Sequence, residues 1–306
     1  MSAELIRYFD RHTRELKTER VYGERWMRLA YGNPAGRMAV WLIARRAFFS
    51  RWYGWKMKKR DSALRILPFI ASYNVDVDEF AKSAFDFKTF NEFFCRALKP
   101  GARPISPGEN VAILPADGRH LAFPDVDAAD GFYIKGQRLP LAELLGEGRG
   151  TPEAGGLAGR FAGGTALISR LCPVDYHRFH FPVDGTPDAP RLFPGWLYSV
   201  SPVALRRNLR YLAENKRQLT LINSPVFGTV AMIEIGATNV GSIIQSFMPN
   251  RPVRKGDEKG LFSFGGSCVV TLFERGRLEL DSDIVERSRG CVETYARMGD
   301  RLGVAR

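Results

Sequence analysis

The sequence predicts an α+β fold, in which a helical N-terminal region of residues 1–83 precedes an antiparallel β-rich domain of residues 84–306. Apolar residues recur at helical spacing up to about residue 83. Beyond residue 111 the chain instead contains short β-type runs separated by Gly and Pro. With 306 residues, of which 45% are hydrophobic, the chain is long enough to bury a sizeable core.

The N-terminal region is strongly basic. Residues 1–61 contain fifteen Lys and Arg against six Asp and Glu, so they carry nine of the twelve net positive charges, and they hold four of the five Trp. Within them the segment RMAVWLIARRAFFSRWYGWKMKKR mixes bulky apolar and basic side chains, which is typical of a helix in the headgroup layer of an anionic membrane. Its longest apolar run, residues 38–44, is far shorter than the roughly 20 residues of a membrane span. We therefore expect a peripheral membrane-associating region without a transmembrane span.

Other interpretations of this region are open. A helical layer packed on the protein's own core is one alternative. Nucleic acid is disfavoured as a partner, because no DNA- or RNA-binding motif accompanies the charge. The first 30 residues lack the apolar stretch of a secretory signal, and five acidic residues among the first 24 disfavour a mitochondrial presequence. The four Cys have no disulfide-type spacing, which favours reduced thiols in the cytosol.

The β-rich domain is predicted element by element. It starts with a short amphipathic helix that stops at Pro100. The Gly-rich stretch 146–164 lacks phosphate-loop spacing and is predicted to be a surface loop. Near the C-terminus, residues 283–298 are predicted to return to helix. The predicted β-type runs are residues 111–115, 131–136, 164–171, 220–237, 240–247, 268–273 and 277–281.

Two of the four histidines, His177 and His180, fall together in CPVDYHRFHFPVDG. Prolines on both sides exclude a long helix or a regular strand that contains both. A metal site completed by Cys172 or Asp175 is one alternative, although no second ligand cluster accompanies it. A structural role for both histidines is the other alternative.

Ser267 lies behind two glycines and ahead of an apolar run in FSFGGSCVV, and Asp117 lies in an Asp-Gly turn after the run VAIL. Each alone is typical of a turn. Together with His180 they form the parts of a base-activated nucleophile. The final glycine of a G-x-S-x-G elbow is missing and a strand follows, which disfavours an α/β-hydrolase. The unshielded carbonyl of Gly266 is another target for the Ser267 hydroxyl.

Several long motifs, in order, carry a resemblance to a known family. They are TFNEFFCRALKPGARPI, PADG, YIKGQRLPLAELLG, CPVDYHRFHFPVDG, GTVAMIEIGATNVGSI and KGDEKGLFSFGGSCVVTLFE. In these the sequence resembles the phosphatidylserine decarboxylases from about residue 87 to the end. The N-terminal 80 residues match only in their basic, helical, membrane-associating character.

The resemblance implies self-processing by serinolysis. Asp117 would orient His180, and His180 would deprotonate Ser267, which attacks the Gly266 carbonyl. The products would be a β chain, residues 1–266, and an α chain, residues 267–306, that begins with a covalent pyruvoyl group made from Ser267. The resemblance implies neither a metal nor pyridoxal phosphate.

The same resemblance implies the reaction and its setting. The pyruvoyl group would form a Schiff base with phosphatidylserine and accept the electrons released as CO₂ leaves, giving phosphatidylethanolamine. His177 would serve the decarboxylation half, as a proton carrier near neutral pH. A homodimer on the cytoplasmic face of the cell membrane, bacterial in type, completes the expectation.

One residue departs from the family pattern, because Cys268 occupies a position that is usually Ser or Thr. Its thiol is a rival nucleophile, but the register of the following strand assigns processing to Ser267. Three other functions are open: a serine hydrolase that uses Asp117, His180 and Ser267 without self-cleavage, an inactive membrane-binding scaffold, and a pyruvoyl-dependent decarboxylase of soluble amino acids.

Overall fold

The computed structural model describes residues 6–19, 29–33, 36, 38, 40, 47–129, 131–148, 156–237, 242–265 and 267–306. Its strands within these ranges are β1 (Arg7–Asp10), β2 (Glu15–Thr18), β3 (Val111–Ile113), β4 (Gly118–Phe123), β5 (Thr165–Leu171), β6 (Arg178–His180), β7 (Thr186–Pro187), β8 (Arg191–Phe193), β9 (Arg217–Ser224), β10 (Gly228–Gly236), β11 (Ile243–Gln245), β12 (Glu258–Phe262), β13 (Ser267–Phe273), β14 (Leu278–Leu280), β15 (Glu293–Ala296) and β16 (Arg301–Ala305).

The α-helices are short, which matches a fold built mainly on its sheets. Two 3₁₀ turns, Arg60–Arg65 and Ala84–Asp86, accompany them in the N-terminal part. The helices are α1 (Ala47–Met57), α2 (Ile66–Tyr73), α3 (Phe90–Phe94), α4 (Leu141–Leu144), α5 (Leu157–Phe161), α6 (Pro202–Leu205), α7 (Tyr211–Glu214) and α8 (Ser282–Arg289).

A ten-stranded main sheet organises the molecule, in the order β2–β1–β15–β4–β5–β13–β10–β9–β7, with β8 also paired to β9. All its strand pairs are antiparallel except β1 with β15. The central strands β5 and β13 are buried along their whole length, because both faces of the sheet are covered. Neither TALISRL nor SCVVTLF therefore has a solvent-facing side, and their polar residues, such as Ser169, Arg170 and Ser267, are buried with the apolar ones.

Side chains of β13 alternate between two separate cores. Face A carries Cys268, Val270 and Leu272, and it packs against helices α4 to α7. Face B carries Val269 and Phe273, and by the same alternation Ser267. Two three-stranded sheets, β11–β12–β6 and β14–β16–β3, cover face B together with α8. Ser267 thus belongs to the face on which the histidine-bearing strand β6 lies.

An aromatic cluster joins the N-terminal helices to the segment before Ser267. Met57, Phe69 and Phe90 pack in one core with Phe264, whose ring centroid lies 5.2 Å from that of Phe90. Tyr53 of α1 lies 5.7 Å from the same Phe264 ring. The N-terminal part therefore supports the chain close to the predicted cleavage site.

The α+β class is confirmed, but several local predictions are wrong. The amphipathic helix predicted to stop at Pro100 already ends at Phe94. Residues 7–10 and 15–18 form strands instead of helix, because β1 finds a partner in β15 and buries Phe9. Residues 131–136 form bends instead of a strand, since Gly131 and Gly136 both have positive φ, of 112° and 82°. The C-terminal helix ends at Arg289, and strand β15 follows.

The segment predicted to associate with a membrane, residues 37–60, is described only in part. Residues 47–57 of it are helical as α1, whereas residues 41–46, with Trp41, lie outside the described residues, as does Trp26. Within the described ranges, no helix has the length and apolar character to cross a bilayer.

Candidate active site

Ser267 is fully buried at the first position of β13. Its backbone pairs with Leu171 of β5 on one side and with Gly236 of β10 on the other. The Ser267 Oγ has no hydrogen-bond partner among the described residues, which is unusual for a buried hydroxyl. Gly266, the other half of the predicted cleavage site, lies outside the described residues.

His177 lies beside the chain that leads to Ser267. Its carbonyl accepts a hydrogen bond of 3.0 Å from the Phe262 amide, and its ring lies 3.8 Å, centroid to centroid, from that of Phe94. Phe94 in turn lies 4.9 Å from Phe264. These contacts fix the imidazole next to residues 262–265.

The protonation state of His177 follows from its surroundings. Its Nδ1 lies 3.0 Å from the Asp175 carbonyl, which only accepts, so Nδ1 carries the proton and Nε2 a lone pair. Burial lowers the pKa of His177 to about 3, although the carbonyls of Asp175 and Gly265 oppose this effect. Nε2 itself makes no well-formed hydrogen bond among the described residues. His177 is therefore a neutral base with an unengaged acceptor atom.

His180, the last residue of β6, has the same arrangement. Its Nδ1 donates to the Gly256 carbonyl at 2.9 Å, and its Nε2 has no partner among the described residues. Burial lowers the pKa of His180, while Gly256, Glu258 and Asp117 oppose that shift. Gly256 has φ +87°, and a Cβ there would lie 2.8 Å from Ile105, so a glycine is required to aim this carbonyl.

Asp117 follows β3, in the turn that the sequence predicts. The His180 amide donates to Pro115 at 2.7 Å, so the turn runs beside β6. The Asp117 carboxylate accepts from Arg103, at 2.6 Å from Nη2 and 2.9 Å from Nε, and from the Met298 amide at 2.9 Å. It makes no hydrogen bond to His180, although it is near enough to raise that residue's pKa.

Gly118 makes the close approach of this turn to β5 possible. A Cβ at Gly118 would lie 2.5 Å from the carbonyl oxygen of Arg170, so any larger residue would push β4 away from β5. A glycine at position 118 is thus favoured both by the turn and by the packing of β4 against β5.

The predicted residues lie around one end of the main sheet. Asp117 approaches His180, His177 approaches Gly265, and Ser267 lies on the face that β6 covers. Two residues of the site, Arg103 and Gly256, were not predicted from the sequence. Arg103 stands in the quoted motif KPGARPI, but its pairing with Asp117 depends on the fold. Gly256 acts through its carbonyl, which leaves no side-chain signal.

The two residues that would complete the alternative metal site, Cys172 and Asp175, both lie against arginines. The Cys172 Sγ lies 2.9 Å from Nη1 of Arg170, and the Asp175 carboxylate lies 2.5 Å from Nη1 of Arg119. Within the described ranges, no group of three or more His, Cys, Asp and Glu side chains is placed to hold a metal ion.

The sequence pattern of the family described as phosphatidylserine decarboxylase matches residues 90–304. The chain belongs to the phosphatidylserine decarboxylase family. This match includes every residue of the candidate site named above and most of the β-rich fold. The family resemblance predicted from the motifs is therefore confirmed.

Similar proteins extend the family match to nearly the whole chain. A phosphatidylserine decarboxylase proenzyme of Fusobacterium nucleatum is 41% identical over 99% of both chains. Proenzymes of the same name from Desulfitobacterium hafniense and Chlamydia trachomatis are 41% and 42% identical, over 98% or more of each chain. The family membership thus includes the N-terminal region, which the motifs matched only in character.

A solved structure of glucose permease IIA from Mycoplasma capricolum aligns with 63% of this chain and 94% of its own. Its sequence identity is 13% and its TM-score 0.29, a likeness too weak to support any statement about fold or function.

Proposed function

We propose that this chain is the precursor of a pyruvoyl-dependent enzyme that decarboxylates phosphatidylserine to phosphatidylethanolamine. One observation carries the proposal: a buried serine hydroxyl without a partner among the described residues begins a strand on the sheet face that β6 covers, and the histidines that end and precede β6 both keep Nε2 unprotonated. Family membership supplies the reaction.

Self-cleavage uses Ser267, His180 and Asp117. Nε2 of His180 takes the Oγ proton, and Oγ attacks the Gly266 carbonyl carbon. The peptide C–N bond breaks, the nitrogen takes the proton, and an ester replaces the amide. Loss of the Ser267 Cα proton then breaks the Cβ–Oγ bond of the ester by β-elimination. This step leaves a carboxylate on Gly266 and a dehydroalanine at 267, which water converts to a pyruvoyl group and ammonia.

Asp117 supports this base from a distance. Its charge stabilises the protonated form of His180, which is the form that self-cleavage creates. Before the proton is transferred, the Gly256 carbonyl fixes the tautomer of the neutral imidazole. Arg103 and the Met298 amide hold the Asp117 carboxylate in place.

The residues around Ser267 fit a pyruvoyl group. The Oγ is unpartnered and its strand is held on both sides, so the new chain end stays where it forms. Such a group supplies the electron sink that decarboxylation requires. His177 is the neutral base beside Gly265, and we assign to it the proton that the substrate ammonium gives up and the return of that proton to Cα.

A membrane surface near α1 gives access to a lipid substrate. Trp52 and Trp55 of α1 are 44% and 55% exposed. The ammonium groups of Lys56 and Lys59 lie 4.5 Å and 3.7 Å from their ring centroids. Aromatic and basic side chains in this arrangement suit an anionic headgroup layer, so we place the enzyme on the cytoplasmic face of the cell membrane. The homodimer stays a prediction.

Intact mass spectrometry of the purified wild type tests the proposal. We expect two chains, residues 1–266 and 267–306, with the smaller one lighter by one ammonia than a chain that begins with serine. Ser267→Ala should remain one chain. An intact wild-type protein that decarboxylates phosphatidylserine would overturn the proposal.

The hydrolase alternative has a specific difficulty in this structure. A serine hydrolase that acts on an external substrate needs an accessible nucleophile, whereas Ser267 is fully buried. Fluorophosphonate labelling of an uncleaved wild type would favour the hydrolase. A chain that neither cleaves nor turns over substrate but binds vesicles would favour the scaffold, and turnover of free serine would favour the soluble-substrate enzyme.

A further inference from the structure

A cavity of about 270 Å³ opens between the N-terminal part and the histidine motif. Residues 73–76, 79 and 80 line it from the N-terminal part, and residues 174–176, just before His177, line it from the histidine motif. Arg96 and Leu98 also line it. A cavity of this size suits a polar headgroup better than acyl chains.

Arg96 is the unusual residue in this cavity. It is 5% exposed, and its Nη2 donates to the backbone carbonyls of Val174 and Asp175 at 3.1 Å and 3.2 Å. Its Nε and Nη1 are buried and have no hydrogen-bond partner among the described residues. Three N–H bonds of a charged group are thus left without an acceptor, which is costly for a protein interior.

The other cations of the cavity are paired. Arg103 lies 2.6 Å from the Asp117 carboxylate and Arg119 2.5 Å from that of Asp175. Arg297 lies 3.1 Å from the Glu79 carboxylate. Arg96 makes no ion pair with any carboxylate among the described residues. It is also near enough to His177 to lower the pKa of that imidazole.

An anion is the ligand that completes such a site, because a desolvated guanidinium binds phosphate or carboxylate oxygen strongly. Phosphatidylserine offers both groups. Its carboxylate loses its charge as CO₂ leaves, so an arginine bound there would stabilise the ground state and slow the reaction. Its phosphodiester keeps its charge throughout. Binding it therefore stabilises the ground state and the transition state equally and does not slow the reaction.

We propose that Arg96 binds the phosphodiester of the substrate headgroup within this cavity. This inference rests on the proposed function, since that function supplies the substrate. The phosphodiester then anchors the headgroup between residues 73–80 and the histidine motif. Arg96 is in this sense a specificity residue for phospholipid over free serine.

The test measures binding without turnover. The full-length Ser267→Ala chain, which keeps the cavity and stays uncleaved, is titrated with glycerophosphoserine, glycerophosphoethanolamine and serine. We expect both phosphodiesters to bind and serine alone to bind much more weakly. Adding Arg96→Gln should weaken both phosphodiesters roughly 10- to 100-fold, and Arg96→Lys by less. Arg301→Gln, an exposed arginine outside the cavity, is the control for charge and should change neither.

Each other outcome overturns the inference. Equal binding by the Arg96→Gln chain, no phosphodiester binding at all, or a loss confined to glycerophosphoserine would do so, the last because it assigns Arg96 to the carboxylate. Thermal unfolding by circular dichroism identifies a misfolded variant, in which case Arg96→Lys decides. If the wild type fails to decarboxylate phosphatidylserine while Arg96-dependent binding persists, the proposed function fails and the anion site stands.

Discussion

At the end of the main sheet where Ser267 lies, the two faces differ in how many of their buried polar groups have partners. On face A, Arg170 donates to Glu293 at 2.9 Å and 2.6 Å and to Glu19 at 3.1 Å and 2.5 Å. Burial alone would raise the pKa of Glu19, but Arg170 and Arg119 outweigh it and lower that pKa to about 2. Every charge of this cluster has a partner of opposite sign.

One residue further along the same strands, face B carries Ser267 beside Leu171, and β6, which ends at His180 and follows directly on His177, packs on the same face. There Ser267 Oγ and the Nε2 atoms of His177 and His180 are buried without partners among the described residues. Buried polar groups without partners are rare and costly, so their concentration on one face marks that face as the chemical one. Next to it, on face A, the paired cluster of Arg170 with Glu19 and Glu293 ties β5 to β15.

The largest effect that tests this contrast comes from His180→Gln. Loss of the base should slow self-cleavage about 100- to 10,000-fold, because no other group is assigned to accept the Ser267 proton. Time courses of chain cleavage on denaturing gels measure it.

His177→Gln is the matched control. It should cleave and then fail in decarboxylation, since we assign His177 to the second half of the reaction. If His177→Gln stays intact while His180→Gln cleaves, the two histidines exchange roles.

On face A, Arg170→Met should lower the stability of the fold, since Arg170 is assigned no part in the chemistry. It leaves Glu19 and Glu293 buried without their main cation, a loss of about 3–5 kcal/mol in the free energy of unfolding. Urea denaturation of the uncleaved Ser267→Ala chain measures it. Arg301→Met removes an arginine whose side chain is 55% exposed and should cost less than about 1 kcal/mol. A loss as small as the control's would mean that the face A cluster is not structurally important.

Much of this arrangement could be predicted from local sequence. The runs 164–171, 220–237 and 268–273 predict β5, the β9–β10 hairpin and β13, because buried strands need continuous apolar residues. The Asp117 turn and the position of Ser267 at a strand start follow from their glycines.

What could not be predicted depends on distant pairing. The region around Phe9 becomes a strand only because β15, nearly 300 residues later, offers an edge. Likewise, nothing local indicates that Asp117 pairs with Arg103 instead of His180, or that a glycine carbonyl orients His180. The site residues were identifiable by type, whereas their partners are set by the fold.

A third buried histidine on face B should make the fold less stable at acidic pH. His120 lies 2.9 Å from Ser169 Oγ, and burial lowers its pKa from 6.5 to about 3. The unfolded chain therefore binds more protons between these values, so stability is full above pH 6.5 and falls as the pH drops toward 3. His120 should contribute up to about 1.4 kcal/mol per pH unit to this slope.

His120→Gln in the Ser267→Ala chain should make that slope shallower by this amount, as measured by urea denaturation at several pH values. The control is His12→Gln, whose side chain is 43% exposed and lies 3.0 Å from the Asp300 carboxylate. Equal slopes for the two variants would contradict a neutral, buried His120.

The smallest effect is expected at Cys268, next to Ser267 but on face A. Its side chain is fully buried in the helix-covered core, and burial raises the pKa of its thiol far above the physiological range. A protonated thiol on the opposite face cannot replace the Ser267 hydroxyl as the nucleophile that cleaves the chain. Cys268→Ala should therefore keep the cleavage position and change its rate by less than about threefold, a barrier change of ~0.6 kcal/mol. Intact mass and a cleavage time course measure both. A fragment that begins at residue 268 in the wild type, or a Cys268→Ala chain that stays intact, would show that the two faces share the chemistry.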